Sequence, residues 1–260
     1  MILKDKVVII TGIGPGMGTK MAHLAAQEGA KIAICARNED RLNIIADDIR
    51  QKGGDVLAIP TDIADNEACL NLAAETQKKF GRIDGLVNSA YKHIGFSQFE
   101  EADLMQWREA MEVTFFGTMQ MTQAVVQPMK QAGGGAICNI STMATRKPMP
   151  GEGGYASAKA AVMGATRMLA KELGTYNIRV NSTVMGWMWG APVEGYVKYT
   201  AKSQCVPEAD VIKGITANIP LGVVPPDEDC ARTVLMMVSD YTAMVTGTCL
   251  DVNGGEHMSS

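Results

Sequence analysis

The feature that most constrains the fold is a regular alternation of short β-branched runs with longer amphipathic stretches along the chain. The short runs are apolar on consecutive residues, which is typical of parallel strands that are covered on both faces. Alternating strands and helices favour an α/β fold with a doubly wound parallel sheet flanked by helices. The predicted strands are Val7–Ile10, Lys31–Ala36, Val56–Pro60, Gly85–Val87, Gly135–Asn139, Arg179–Val184 and Cys249–Val252.

Helix signals lie between these strands. Asn38 and Asp65 are each placed to cap an amphipathic helix, and Gly81 is placed to end the second one. No repeat or linker interrupts the alternation, so we expect a single domain over residues 1–260. The one irregular stretch, at about 187–224, is rich in Gly, Pro, Trp, Tyr and Met, and we interpret it as a substrate-binding lid with room for a short helix.

Composition and charge argue against several classes of protein. The 260 residues include 47% hydrophobic and 20% charged residues with a formal net charge of −4, which is ordinary for a globular domain. No cluster of Lys and Arg favours nucleic-acid binding, and no apolar run reaches the roughly 18 residues that span a membrane. The first residues enter a strand pattern without a signal-peptide layout, so we expect a cytoplasmic protein. Scattered cysteines and histidines predict no metal site.

A glycine-rich turn follows the first predicted strand and opens the first helix. It reads Thr11-Gly12-Ile13-Gly14-Pro15-Gly16-Met17-Gly18, in which Gly12, Gly16 and Gly18 carry the spacing T-G-x-x-x-G-x-G. Glycines let the backbone turn tightly and approach a pyrophosphate, whose charge then meets the amide-rich start of the helix. The turn therefore predicts the phosphate cradle of a dinucleotide site.

The end of the second strand indicates which dinucleotide is bound. An acidic residue there would hold the ribose 2′-hydroxyl of NAD, but this chain has Ala36-Arg37-Asn38. A guanidinium at that point favours NADP(H), because it can bind the 2′-phosphate, and NAD(H) is the alternative. Asp62 and Asn88 follow the third and fourth strands at the same sheet edge, where Asp62 can accept a hydrogen bond from the adenine amino group.

A tyrosine and a lysine stand one helical turn apart in Tyr155-Ala156-Ser157-Ala158-Lys159. This spacing places both side chains on one face, within about 6 Å at Cβ. Carbonyl reduction requires a proton donor for the oxygen, and an ammonium together with an oxidised nicotinamide would stabilise the phenolate of Tyr155. Thr142, at the end of the fifth strand, can offer a second hydrogen bond to the same oxygen. These residues predict hydride transfer between a nicotinamide and a carbonyl or alcohol.

Together these segments resemble the short-chain dehydrogenase/reductase family over nearly the whole chain. The closing segment Val245–Gly255 and the segment Ile178-Arg179-Val180-Asn181 are similar to those of the family as well. The resemblance implies a seven-stranded, Rossmann-like sheet. It also usually implies a homotetramer, or else a dimer, held by the Met105–Gln131 and Tyr155–Thr175 helices and the C-terminal strand.

The resemblance further implies roles for individual residues. Tyr155 would be the acid and base of the reaction, and Lys159 would bind the ribose hydroxyls and lower the pKa of Tyr155. The cofactor contacts that it implies, together with those inferred above, are Gly12, Gly14, Gly16, Met17, Gly18, Arg37, Asp62, Ile63, Asn88, Ala90, Lys159, Gly186 and Met188.

The chain also departs from the family pattern. Thr142 stands where the family usually has a serine, which keeps the hydroxyl and adds a methyl group. The neighbouring Ser141 is expected to face the other side of the strand. Thr114 stands where many members have an asparagine that organises a proton-relay water, so it is the candidate at that catalytic position. The usual Asn-Asn-Ala-Gly segment reads Asn88-Ser89-Ala90-Tyr91.

Large apolar side chains occur on the segments expected around the nicotinamide. They predict a broad pocket for a bulky apolar ketone or alcohol, steroid-like or polycyclic, although lid packing or subunit contacts would also use them. The candidate substrate contacts are Tyr91, Met143, Trp187 and Trp189.

Two other functions are compatible with the sequence. Lys92, His93, Arg146 and Lys147 lie on the same segments, and they either steer an acidic substituent or are solvated; reduction of a 3-oxoacyl thioester is therefore one alternative. The other is a dinucleotide-binding sensor or scaffold without catalysis, which the threonines at positions 114 and 142 suggest and the retained tyrosine and lysine argue against.

Overall fold

The computed structural model describes residues 1–259 and contains one seven-stranded parallel sheet in the order β3-β2-β1-β4-β5-β6-β7. The predicted doubly wound, Rossmann-like sheet in one domain is confirmed. Strand order reverses between β1 and β4, which opens a crevice at the carboxyl edge of the sheet. The strands are β1 Val7–Thr11, β2 Lys31–Ala36, β3 Val56–Pro60, β4 Gly85–Asn88, β5 Gly135–Thr142, β6 Ile178–Met185 and β7 Cys249–Val252.

Nine α-helices are present within residues 1–259, and several of them cover the two faces of the sheet. They are α1 Met17–Gln27, α2 Glu39–Gln51, α3 Asn66–Phe80, α4 Leu104–Met111, α5 Gly117–Gln131, α6 Gly153–Leu173, α7 Ala191–Gln204, α8 Glu208–Thr216 and α9 Asp227–Met237. Val8 and Ile10 pack with α1, α2 and α9, whereas Ile9 packs with α3, α5 and α6. Both faces of β1 are therefore buried, which explains its unbroken apolar run.

The predicted helix caps are present. The Asn38 side chain accepts a hydrogen bond from the Arg41 amide at 2.8 Å, which fixes the start of α2. Asp65 accepts one from the Glu67 amide at 2.9 Å at the start of α3. Gly81 ends α3 with φ at 81°, a left-handed conformation that favours glycine. These local contacts fix where the helices begin relative to the strand ends that border the crevice.

The helices that lead to the crevice differ in detail from the predicted ones. The expected Met105–Gln131 helix begins at Leu104 and contains a π-helical turn, Glu112–Phe116, between α4 and α5. The helix predicted from Tyr155 begins two residues earlier, because Gly153 and Gly154 let its first turn pack on the Trp107 ring, where a Cβ would clash. Tyr155 therefore lies in the first turn of α6.

The stretch 187–224 is more ordered than its composition suggests, since it contains α7 and α8. Its base is tied to the start of α9, because the Trp189 amide donates to the Pro225 carbonyl at 2.8 Å. Gly190 precedes α7 and contacts the Asp227 carboxylate so closely that a Cβ would not fit. The sequence predicted room for one short helix in this stretch, whereas the structure contains two.

The three cysteines that lie in strands differ in burial. Cys35 and Cys138 are buried in β2 and β5, whereas Cys249 on the edge strand β7 is half-buried. In residues 1–259, no three His, Cys, Asp or Glu side chains lie close enough together to hold a metal ion. No helix in the same range has the length and apolar character needed to cross a membrane.

Candidate active site

The glycine turn brings three parts of the backbone together at the end of β1. Gly12 has φ at 75°, and a Cβ there would lie 2.5 Å from the Ala90 amide nitrogen. A Cβ on Gly18 would lie 2.4 Å from the Gly12 carbonyl oxygen. Only glycine permits these approaches, which bring α1 and the residues after β4 against the strand end. Thr11 completes the junction, because its hydroxyl accepts hydrogen bonds from the Ser89 and Ala90 amides.

The space beside this turn fits the adenosine end of a dinucleotide. Gly14 has no atoms within 4 Å of a built Cβ, so this part of the turn is open. No side chain caps the start of α1 at Gly16, so the first amides of the helix, from Met17, are available for phosphate oxygens. A cavity of about 300 Å³ adjoins the turn, and its lining includes Gly12, Gly14, Arg37, Arg41, Asp62, Ile63 and Ala90.

Two arginines border this cavity. Arg37 directly follows β2 and Arg41 lies in the first turn of α2, and both side chains are exposed. Neither has an ion-pair partner among residues 1–259. Arg41 was missed from the sequence, although a second arginine in the first turn of the helix that follows Arg37 is a signal that could have found it.

The other predicted cofactor residues at this edge differ in orientation. Asp62 and Ile63 line the cavity, and Asp62 also accepts a hydrogen bond from the Ala64 amide at 3.0 Å. Asn88 lies at the same edge, but its side chain is turned inward and donates to Thr122 and Asn139. The amide of Asn88 therefore joins β4 to β5 and α5 instead of facing the crevice.

The first turns of α6 and the end of β5 bring Tyr155, Lys159 and Thr142 together. Lys159 is only 2% exposed, and its Nζ donates to the Ile140 carbonyl at 2.6 Å. Burial lowers the pKa of Lys159 to about 7. The side chain of Ser141 is on the other side of the strand, as predicted, and donates to the Lys159 carbonyl at 3.4 Å. The hydroxyl that reaches Tyr155 is that of Thr142.

The pKa of Tyr155 is raised, not lowered as the resemblance implied. Burial is the largest cause, and the Tyr91 phenol and the Glu152 carboxylate act in the same direction. The hydrogen bond with Thr142 acts the other way. The Lys159 ammonium does not offset these effects, because it is turned toward the Ile140 carbonyl and burial favours its neutral form.

Tyr91 lies against both members of the tyrosine–lysine pair. Its ring centroid is 5.6 Å from that of Tyr155 and 5.4 Å from the Lys159 Nζ. The second distance is within the range of a cation–π interaction. The family pattern has glycine at this position, so sequence reasoning placed Tyr91 only among the substrate contacts and missed its contact with Lys159.

Thr114 is fully buried within the π-helical turn and is not exposed to the crevice. Its hydroxyl accepts a hydrogen bond from the Lys92 amide at 3.1 Å. The threonine therefore fastens the loop after β4 to the helix, next to Tyr91. This contact holds the loop residues that border Tyr155.

The remaining residues predicted to contact the substrate or the nicotinamide differ in burial and in the groups that they contact. Met143 is buried, with its Sδ 3.8 Å from the Asn253 Nδ2. Trp187 packs against Tyr196 of α7 in a tilted arrangement at a centroid distance of 5.3 Å, so it belongs partly to the lid core. Trp189 is partly exposed at the base of the lid. Met188 packs on the core beneath α1 and α9, and Gly186 packs on Asn253.

The cations near the site are mostly neutralised by the chain itself. Arg146 pairs with Asp251, and Lys147 pairs with Glu256 at 2.8 Å, so both tie the loop after β5 to the C-terminal segment. Lys92 pairs with Glu109 of α4. The idea that these three residues are free to steer an acidic substituent is therefore not supported by their positions.

Comparisons with known proteins agree with this geometry. Residues 6–195 match the family model described as short chain dehydrogenase. A 3-oxoacyl-[acyl-carrier-protein] reductase of Chlamydia muridarum is 30% identical, with 98% of each chain covered. A 3alpha-hydroxysteroid dehydrogenase of Mediterraneibacter gnavus is 31% identical, again with 98% of each covered. The crystal structure of levodione reductase is 26% identical with a TM-score of 0.90, covering 98% of each chain. The chain therefore belongs to the short-chain dehydrogenase/reductase family, whose members are oxidoreductases acting on CH–OH and C=O groups with NAD(P).

Proposed function

We propose that the protein is an NADP(H)-dependent oxidoreductase that interconverts a ketone and a secondary alcohol on a bulky apolar substrate, with Tyr155 as the proton donor. The observation that carries the proposal is the convergence of Tyr155, Thr142 and Lys159 around Tyr91, which also lines the cavity that fits the adenosine end of a dinucleotide. NAD(P)(H), when bound, supplies or accepts the hydride. The chain itself supplies the proton, the hydrogen bonds and the shape of the pocket.

The proton in this account belongs to the Tyr155 hydroxyl. The phenol of Tyr155 is protonated at neutral pH, and because burial raises its pKa it is a weaker acid than a free tyrosine. The hydrogen bond with Thr142 acts against that rise. The Thr142 hydroxyl donates a second hydrogen bond to that oxygen as negative charge develops on it. Lys159 holds the ribose hydroxyls and, when protonated, favours the phenolate that remains after transfer.

The preference for NADP(H) is supported by the two free guanidiniums at the end of β2 and the start of α2. Arg37 and Arg41 border the same cavity and have no carboxylate partner in the described chain. A 2′-phosphate would pair with both, whereas a 2′-hydroxyl would leave both charges uncompensated. The glycine turn from Gly12 to Gly18 for the phosphates, Asp62 for the adenine amino group, and further contacts from Ile63 and Ala90 complete the proposed site.

The bulky apolar substrate is supported by the aromatic side chains around Tyr155 and on the segment 187–224, which we propose acts as a lid. The hydroxysteroid dehydrogenase among the relatives acts on a substrate of this kind. The 3-oxoacyl thioester alternative has a named relative as well. It is disfavoured because Arg146, Lys147 and Lys92, the cations that would meet phosphate groups, are already paired.

A homotetramer is also part of the proposal. β7 is an edge strand of the sheet, with one side free of strand partners. Apolar side chains are also exposed on the two helices that the family resemblance assigns to subunit contacts. They include Met168 of α6 and Phe116 beside α5. A dimer through one of these surfaces, and the cytoplasmic location, remain predictions of the sequence.

An NADPH-oxidation screen over steroidal, cyclic and acyl-thioester ketones tests the proposed function. We expect turnover of cyclic or steroidal ketones with NADPH, and little with acyl thioesters. Turnover of the thioesters alone would favour the alternative, and NADPH binding without any turnover would favour the sensor. Sedimentation analysis of the same preparation tests the tetramer.

A further inference from the structure

A carboxylate and an imidazole lie beside Tyr155 without a part in the proton transfer described above. Glu152 directly precedes α6, and its Oε1 is 3.9 Å from the His93 Nε2. The His93 ring centroid is 5.5 Å from that of Tyr155. The pair therefore borders the aromatic ring that carries the proposed acid.

The Glu152 carboxylate lacks a hydrogen-bond partner among residues 1–259. Its side chain is only 12% exposed and does not cap the helix by a hydrogen bond. The start of a helix stabilises a carboxylate electrostatically, but the 3.9 Å separation from His93 is too long for a hydrogen bond. The carboxylate oxygens still reach solvent, so a group that donates a hydrogen bond can approach them.

The His93 ring is oriented by the loop that carries it. Its Nδ1 accepts a hydrogen bond from the Gly95 amide at 3.1 Å. In the neutral ring the proton therefore lies on Nε2, the atom that faces Glu152. The pair offers one donor and one acceptor to any group placed between them.

A hydroxyl group matches this arrangement. An oxygen about 2.8 Å from both atoms fits a pair 3.9 Å apart. A hydroxyl both donates and accepts, whereas a carbonyl oxygen only accepts and an ammonium only donates. A carboxylate substituent would be repelled by Glu152, and the nearby Lys92 is already paired with Glu109.

We propose that His93 and Glu152 form a subsite for a second hydroxyl group, so that the substrate is a diol or a hydroxyketone. The proposal rests on the function proposed above, because the subsite is placed relative to Tyr155. It narrows the substrate class from bulky apolar alcohols to those with a second oxygen on the side of His93.

The test compares the three positional isomers of cyclohexanediol with cyclohexanol as substrates. For the wild-type protein with NADP⁺, we expect kcat/KM for the best diol to exceed that for the mono-alcohol by about 10- to 100-fold, since a site built for a hydroxyl rejects analogues that lack it. His93→Phe keeps a ring against Tyr155, and Glu152→Met keeps the length of the side chain. In both, the ratio should fall to within about 3-fold. Glu172→Gln, at the exposed far end of α6, is the matched control and should keep the wild-type ratio.

A ratio near one in the wild type, or a ratio unaffected by both substitutions, overturns the subsite. A binding measurement separates this result from failure of the proposed function. If no alcohol is turned over, the diol should still shift the His93 imidazole resonances in the NMR spectrum of wild type more than cyclohexanol does. Equal or absent shifts in that spectrum overturn the subsite even where no reaction occurs.

Discussion

The nucleotide half of the crevice and the substrate half are built in different ways. The first, from Gly12 to Asp62, is shaped by backbone: strand ends, glycines without space for a Cβ, and an uncapped helix start. The second, around Tyr155, is shaped by side chains from the loop after β4, α6 and the lid. The comparison teaches that a backbone-built site leaves a local pattern in sequence, whereas a side-chain-built site depends on contacts between distant segments.

The largest expected effect is a loss of activity when Tyr155, at the centre of the substrate half, is replaced. Tyr155→Phe should lower kcat by about 10³-fold, since it removes the general acid. NADPH affinity should stay within about 2-fold, because the phenol is not among the residues that shape the nucleotide half. Steady-state kinetics and a fluorescence titration measure the two quantities. Tyr241→Phe, at an exposed position outside the crevice, is the control, and substantial activity in Tyr155→Phe would remove the assigned acid.

A glycine substitution tests the claim that backbone shapes the nucleotide half. Gly12→Ala should lower the free energy of unfolding by about 3 kcal/mol, because the residue has positive φ and its Cβ would meet the Ala90 amide at 2.5 Å. Gly53 has φ at 84° and no atom within 4 Å of a built Cβ, so Gly53→Ala should cost only about 1 kcal/mol. Urea unfolding measures both. Equal losses would show that the close approach at Gly12 is unimportant.

Substitution of Arg37 and Arg41 tests whether the nucleotide half selects NADPH over NADH. Arg37→Ala and Arg41→Ala should each weaken NADPH binding by about 10-fold and NADH binding by less than about 2-fold, since only NADPH carries the 2′-phosphate. Titration of both nucleotides against both variants gives the result. Equal weakening for the two nucleotides would mean that the guanidiniums act elsewhere on the cofactor.

A pH dependence of stability tests the burial of Lys159 in the substrate half. Its pKa is about 7 in the folded protein and about 10.4 when unfolded, so the unfolded chain binds more protons between these values. Stability should therefore rise with pH across that window, by at most about 1.4 kcal/mol per pH unit. Lys159→Met should lack this rise when unfolding is followed at several pH values without cofactor. An identical pH dependence in both proteins would contradict the buried lysine.

Features that depend on neighbouring residues could be predicted from the sequence, whereas contacts between distant segments could not. The strands, the caps at Asn38 and Asp65 and the glycine turn were predictable because each depends on residues close in sequence. The inward turn of Asn88 was not, since its partners Thr122 and Asn139 lie on other elements. The contact of Tyr91 with Lys159 and the pairing of Arg146 with Asp251 join residues far apart along the chain. The raised pKa of Tyr155 depends on burial, which no local motif records.

A crystal structure of the protein with NADP⁺ tests the central claim most directly. The account predicts the 2′-phosphate between Arg37 and Arg41, the pyrophosphate at the start of α1, and the nicotinamide beside the Tyr155 hydroxyl. A dinucleotide bound away from this edge of the sheet, or a nicotinamide out of reach of Tyr155, would contradict it.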